Sequence, residues 1–191
     1  FTPYNMIDLL RSCVTDGIFA IGVMIVLISG GIDISFPAIG AFSMYSVTII
    51  FNYIEYEGSI VLPMLTAILI GIGLGLMNAI FVHVFKIPTF IATLGTSNII
   101  SGILLTFIGS NAIMKLPKGF TKFAKASIIT VNAQIGKSSL PAAIILLLVI
   151  AFLAYFILNH TLLGRGVYAL GGNITAAERV GFHVGVVQTF I

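Results

Sequence analysis

An all-α, polytopic membrane fold is what this sequence predicts, and three observations predict it. Of its 191 residues, 59% are hydrophobic and 8% are charged, whereas a water-soluble domain carries roughly 25% charged residues. The apolar residues gather into runs comparable to the ~20 residues that cross a hydrocarbon core. No run alternates apolar and polar positions with period two, so of the two architectures that satisfy the backbone in lipid, helices fit and a closed barrel does not. About five complete spans plus the start of a sixth are expected, forming one membrane domain over residues 1–191. The chain begins with Phe1 and closes on "VGVVQTFI", a helix just opening, so it reads as a fragment of a longer protein.

The spans are expected at roughly 14–30, 35–54, 60–82, 89–109 and 141–158, with a sixth opening near Val184. "EYEGS", with Glu55 and Glu57, separates the second from the third, and "HVFKIP", with Lys86 and Pro88, separates the third from the fourth. Residues 110–140 form the longest polar stretch and carry Lys115, Lys118, Lys122, Lys125 and Lys137. Within it "SIITVNAQI" reads as either a short strand or an extended surface segment. Residues 159–183, "NHTLLGRGVYALGGNITAAERVGFH", are the second polar segment. One span lies between the two, which puts them on opposite sides of the membrane. Lysine bias alone would place 110–140 in the cytoplasm.

The first two spans are joined by "SGGIDISFP". Gly30-Gly31 can end a helix through the left-handed region. Asp33 or Ser35 can cap the next one, and Pro37 fits its first turn. Asp33 is the sole charged residue between Gly17 and Ile54. If the break lies within the membrane, its carboxylate must face protein or water; if it lies at the surface, this is an ordinary turn.

The third span places Ala67, Gly71, Gly75 and Ala79 on one face, a stripe that lets another helix approach closely. The fourth carries a hydroxyl line, Thr89, Thr93, Ser97 and Ser101, while Gly95, Gly102 and Gly109 recur every seventh residue. Positions 95 and 97 lie about 200° apart on a helix. The glycine face is expected to pack. The hydroxyl face either looks into a water-filled path or back-bonds to its own helix. Near the end, Thr175 to Glu178 spells T-x-x-E, a capping box, and Gly181 is expected to stop the helix it starts.

Several chemistries lack their residues. No G-x-x-x-x-G-K-[ST] loop occurs, and "ALGGN" has neither the lysine nor a preceding strand. His83, His160 and His183 are scattered at span edges without H-x-x-x-H or H-E-x-x-H spacing. No catalytic or metal-binding residue is therefore expected in this chain. Cys13 is alone and forms no internal disulfide. The net charge of +3 comes without a dense Lys/Arg stripe, which argues against a nucleic-acid partner.

Three segments carry a resemblance. "AIGVMIVLISGGIDIS" is similar to the A-x-G-x-x-x-V-x-x-x-G-G-I-D-L-S element of ABC-importer permeases of the ribose/simple-sugar type. "IPTFIATLGT" resembles their I-P-x-F-I-x-T-L-G-T element, and "TLLGRGVYALGGNITAAERVGFHV" their T-x-x-G-R-x-x-Y-A-x-G-G-N-x-x-A-A-x-x-x-G-I element. They occur in the family's order and cover about a quarter of the chain. Phe36-Pro37 follows where the family usually has Val-Gly.

The resemblance implies a non-catalytic translocation subunit of an ATP-driven, binding-protein-dependent importer of a simple sugar or similar small polar solute. It implies a multi-pass protein of the bacterial inner membrane, in contact with lipid. Its partners would be an ATPase subunit holding ATP and Mg, an extracytoplasmic solute-binding protein, and a second permease subunit, identical or homologous. Residues 159–183 would be cytoplasmic and 110–140 extracytoplasmic, against the lysine bias. The ATPase would be met by Arg165, Tyr168, Gly171, Gly172, Asn173, Thr175, Ala176, Ala177, Glu178, Arg179 and Gly181. Asp33, Ser35, Thr93, Ser97 and Ser101 are the expected substrate pathway. The competing reading is an ion-coupled secondary transporter or channel that uses Asp33 as its ion site.

Overall fold

Apolar runs without a competing backbone partner become helices, and the computed structural model, which describes residues 2–108, 113, 116–133 and 136–191, shows them in order. They are α1 (Pro3–Ile28), α2 (Phe36–Tyr53), α3 (Val61–His83) and α4 (Thr89–Phe107), then α5 (Lys118–Lys125), a hairpin of β1 (Ser127–Ala133) and β2 (Gly136–Pro141), and finally α6 (Ala143–His160), α7 (Leu162–Gly172), α8 (Ile174–Arg179) and α9 (Val184–Phe190). Among the described residues, α1, α3, α4 and α6 are long and apolar enough to cross a membrane. The expected second span is α2, whose 18 residues rise about 27 Å at 1.5 Å per residue. Its hydropathy is diluted by Ser43, Ser46, Thr48 and Asn52. The seven residues of α9 stand where a sixth span was expected to open.

Two boundaries differ from the sequence reading. The first helix begins at Pro3 rather than near residue 14, with the Thr2 hydroxyl accepting from the Asn5 N–H at 3.3 Å. Asp8 is unwelcome in hydrocarbon but not in the first turns of a helix that projects beyond it. Its 26 residues span about 39 Å, against a core of about 30 Å. The described part of the polar stretch 110–140 also holds a helix and a hairpin. "SIITVNA" is a strand, as one alternative had it. Its antiparallel partner is "GKSSLP", with Thr130 opposite Ser139 and Val131 opposite Ser138. Phe1, Gly109 and Lys115 lie outside the described residues.

Contacts sort the connections to two ends of the bundle. At one end Asp8 of α1 meets Ser138 of β2, and Lys118 of α5 meets Glu57 between α2 and α3. At the other, the α1–α2 break, the α3–α4 turn and α7–α9 come together: Gly31 lies against Thr89, Gly171 against Ile28, and Gly185 against His83. The buried cluster at this end is Leu158, Val167, Leu170, Ala177 and Val187, with Ile25 and Ile28 of α1 packed against it. The described residues of 116–140 and the segment 159–183 thus stand at opposite ends of the bundle.

Candidate functional site

The chain between α1 and α2 is a helix break held by backbone and side chains together. Gly30 turns into the left-handed region at φ +85°. Its N–H reaches the Leu27 carbonyl (3.0 Å) and that of Gly31 reaches Val26 (3.1 Å), the paired bonds that close a helix C-terminus on glycine. Ser35 occupies the N-cap position of α2, but its side chain makes no capping bond. Asp33 does the work instead. Its Oδ1 accepts from the Ser35 N–H at 2.6 Å and from the Ser35 hydroxyl at 2.7 Å.

From Ser35 the polar line continues into the bundle. The Asn78 side-chain amide of α3 donates to Ser35 Oγ at 2.8 Å. From α4, Thr93 Oγ1 accepts from the Ile34 N–H at 3.4 Å and lies 3.3 Å from the carbonyls of Ile32 and Phe90. Ser35, Asn78 and Thr93 are all buried. Asn78 Oδ1 is buried without a hydrogen-bond partner. Asn78 was not singled out from the sequence, although an amide five residues from the end of an otherwise apolar run was the signal. Five residues correspond to about 7.5 Å, so the break lies roughly a turn and a half inside the end of α3.

Beside this line is a cavity of about 320 Å³. Its polar wall includes Asp33, Asn78, Thr89 and Thr93, and its apolar wall includes Ile72 and Leu170. Of the expected pathway residues the structure brings together Asp33, Ser35 and Thr93. Ser97 and Ser101 lie one and two turns further along α4, half-buried and away from the cavity wall.

Two faces expected to pack are placed as follows. On α4 the inward face is Ala92, Thr93, Thr96 and Ile100, whereas Gly95 and Gly102 are exposed and a Cβ on either would meet nothing within 4 Å. Threonine can pack there because it satisfies itself: Thr96 donates to the Thr93 carbonyl at 3.2 Å. On α3 Ala67, Gly71 and Ala79 are half-buried, on the side that also carries the buried Asn78. Cβ atoms on Gly71 and Gly75 would be free, and Gly75 and Ala79 form cavity wall.

The 159–183 segment folds as α7, α8 and the turn into α9. Thr161 caps α7, accepting from the Gly164 N–H at 3.1 Å. Gly164 is required because a Cβ would lie 2.3 Å from the Ile157 carbonyl oxygen. Gly171 is tighter still: its Cβ would lie 1.9 Å from the Ile28 carbonyl oxygen, so the end of α7 rests directly on the end of α1. Gly172, by contrast, has open space.

The expected capping box at Thr175 is not the cap. Asn173 is, its Oδ1 accepting from the Ala176 N–H at 2.9 Å, which leaves Thr175 and Glu178 inside α8. Asn is at least as good an N-cap as Thr, and its extended backbone (φ −164°) ends α7 at the same residue. Gly181 stops α8 as expected, at φ +96°, with its N–H on the Glu178 carbonyl (3.0 Å) and that of Phe182 on Ala177 (3.1 Å). Ala177 is buried, whereas Arg165, Tyr168, Asn173, Thr175, Glu178 and Arg179 are exposed. Nearby, His83 Nδ1 lies 3.1 Å from Gln188 Oε1. No group of three His, Cys, Asp or Glu side chains that could hold a metal occurs among the described residues.

A protein family described as branched-chain amino acid transport system / permease component matches residues 5–191. The ribose import permease protein of Haemophilus influenzae is 29% identical over 100% of this chain and 57% of its own length. That of Bacillus subtilis is 32% identical over 99% of this chain and 56% of its own. The D-allose transport system permease protein of Escherichia coli is 30% identical over 89% and 50%. The chain thus spans about half the length of the curated relatives it matches. No solved structure matches it.

Proposed function

We propose that this chain, which belongs to the family of branched-chain amino acid transport system permease components, is part of the membrane-spanning subunit of an ATP-driven importer of a simple sugar. The reading places the protein in a bacterial inner membrane. It pairs the protein with a second permease subunit and with a solute-binding protein at the hairpin end. A separate ATPase subunit, which holds ATP and Mg, would sit at the α7–α8 end.

One observation supports it most. The segment with an exposed polar surface, α7–α8, bears on the helix break through Gly171 and the Ile28 carbonyl. Two ends of a path are thereby joined by backbone contact. A push on α8 passes through Gly171 to Ile28, and from there to Gly30, Asp33 and the cavity. The relatives' names supply the solute class: they are import permeases for ribose and D-allose.

The test is reconstitution of the full-length protein with its ATPase subunit and binding protein in vesicles. Uptake of labelled D-ribose or D-allose that requires ATP is the expected result. Uptake driven by a sodium or proton gradient without ATP would overturn the reading.

A further inference from the structure

The short helix α5 is held at both ends by the first residues of membrane spans. Near its start, a Cβ on Gly119 would lie 3.0 Å from the backbone nitrogen of Ile60, the N-cap of α3. At its end, the Ala126 carbonyl accepts from the Ala142 N–H at 2.9 Å, and Ala142 is the N-cap of α6. Both α3 and α6 are long and apolar enough to cross a membrane. The eight residues of α5, about 12 Å at 1.5 Å per residue, therefore run between two span ends, at the level where hydrocarbon gives way to headgroups. The side chains suit that level. Lys118, Lys122 and Lys125 fall within about 60° of one another around the helix, and Phe120 and Phe123 stand on the opposite side. The three lysines are exposed and the two phenylalanines half-buried. Leu116 just before the helix, and Ile128 and Ile129 just after it, are exposed as well.

We infer that α5 lies on the membrane surface and that Lys122 and Lys125 bind the phosphates of anionic phospholipid headgroups. This surface goes beyond the importer reading, which sets only the leaflet that α5 meets, the outer leaflet of the inner membrane. A basic helix face opposite an aromatic one is the pattern of a helix lying in the interface, where apolar burial and attraction to anionic lipid act together. Lys118 is engaged with Glu57 and fastens the start of α5 to the α2–α3 connection. Lys122 and Lys125, further along the same face, are the two that meet headgroups. An ammonium is a compact charge with three donors on a flexible four-carbon stem, so it reaches a phosphate while its methylenes cover the apolar rim. An acidic protein surface would match the lysines too. It would not explain why Leu116, Ile128 and Ile129 are exposed beside them at the height of two span ends, where acyl chains cover them.

The test titrates the full-length permease, in uncharged detergent micelles, with fluorescently labelled phosphatidylglycerol or phosphatidylcholine. Phosphatidylglycerol should bind more tightly, and the gap should close as salt is raised. Lys122→Gln together with Lys125→Gln should weaken phosphatidylglycerol binding about 25-fold, at about fivefold per lysine, and leave phosphatidylcholine binding unchanged. Lys122→Arg together with Lys125→Arg keeps both charges and should stay within about twofold of the unaltered protein. Equal binding of the two lipids by the unaltered protein would overturn the inference, as would undiminished phosphatidylglycerol binding by the glutamine pair. An arginine pair that binds no better than the glutamine pair would show that charge is not what holds the lipid and would overturn it too. Docking of the solute-binding protein is measured on the same variants. A glutamine pair that keeps its lipid affinity but loses that docking would assign the lysines to a protein partner and remove the lipid site.

Discussion

The two ends of the bundle each contain a serine, buried to almost the same degree, that hydrogen-bonds an aspartate. At the break, Ser35 (0% exposed) meets Asp33; at the hairpin, Ser138 (1% exposed) meets Asp8 at 2.5 Å. The surroundings differ. Ser35 is tied onward to a buried amide of α3, and the neighbouring backbones touch through glycine. Asp8 lies in the first turns of a helix that outruns the hydrocarbon, and the ion pair at that end is exposed. A polar contact is costly to disturb where its partners have no access to water. The break end is therefore expected to be rigid in its chemistry and the hairpin end tolerant, and four sets of substitutions test that contrast.

The largest effect is expected at Gly171. The atom that a Cβ would strike is the backbone oxygen of Ile28 at 1.9 Å, which cannot swing aside as a side chain can. Gly171→Ala should lower stability by about 1–3 kcal/mol or more, read as the thermal midpoint of the full-length protein in detergent. Gly172→Ala, one residue on with open space around it, should leave the midpoint unchanged. Equal effects at the two glycines would mean that α7 does not rest on α1.

Next come the serines themselves. Ser35→Ala strands the Asn78 amide, whose Oδ1 is already without a partner, and should cost about 1–3 kcal/mol. Ser138→Ala removes one bond from an aspartate that water can reach, and should cost about 0.5–1.5 kcal/mol. Melting both variants side by side measures the difference, and a larger loss for Ser138→Ala would reverse the ranking of the two ends.

These residues also show what was legible in the sequence. The spans were, because hydropathy over some twenty residues is a local sum. The Gly30 and Gly181 stops were, because left-handed backbone selects glycine wherever it occurs, and both proved to close a helix with the same pair of bonds. The hydroxyl line of α4 was seen, and its tail, Ser97 and Ser101, lies away from the cavity wall. Helical periodicity tells that Thr89, Thr93, Ser97 and Ser101 drift along a face, not that the break meets that face at Thr89 and Thr93 and no further along. The glycines of α3 and α4 were read as packing surfaces, yet a small residue only permits approach; whether a helix arrives is decided by the rest of the assembly. Asn78 and Gly171 gain their roles from groups distant in sequence, the Ser35 hydroxyl and the Ile28 carbonyl, and Gly164 from the close turn of α7 against the end of α6. The strand partner "GKSSLP" was missed because its pairing, not its own composition, makes it a strand.

A smaller effect tests the cap of α8. Asn173→Ala removes the acceptor for the Ala176 N–H and should cost about 0.5–2 kcal/mol. Thr175→Val and Glu178→Ala should cost far less, because neither residue caps. Gly181→Val, forced into φ +96°, should lose about 1–2 kcal/mol for the left-handed conformation alone. Should Thr175→Val prove worse than Asn173→Ala in thermal melts, the capping box read from the sequence would be the true start of the helix.

The smallest effect is expected from the ion pair at the hairpin end. Lys118 donates to Glu57 and, by that bond first and by its charge second, holds the Glu57 carboxyl below its ordinary range; Lys122 adds to the same field. A carboxyl lowered on folding stabilises the protein above its unfolded value, and the contribution is lost as pH falls through the folded one. Both side chains are mostly exposed, so water and salt screen the pair and little stability rides on it. Lys118→Ala should leave the neutral-pH thermal midpoint of the full-length protein nearly unchanged. Its trace should appear below about pH 4.3, the ordinary glutamate value, where the native protein loses a small increment on acidification that the variant has already lost. The two melting curves should therefore converge at low pH and differ slightly at neutral pH, and the difference should shrink as salt is raised. A midpoint drop at neutral pH as large as that of Ser35→Ala would show that the hairpin end is built as tightly as the break. The contrast between the two ends would then fail.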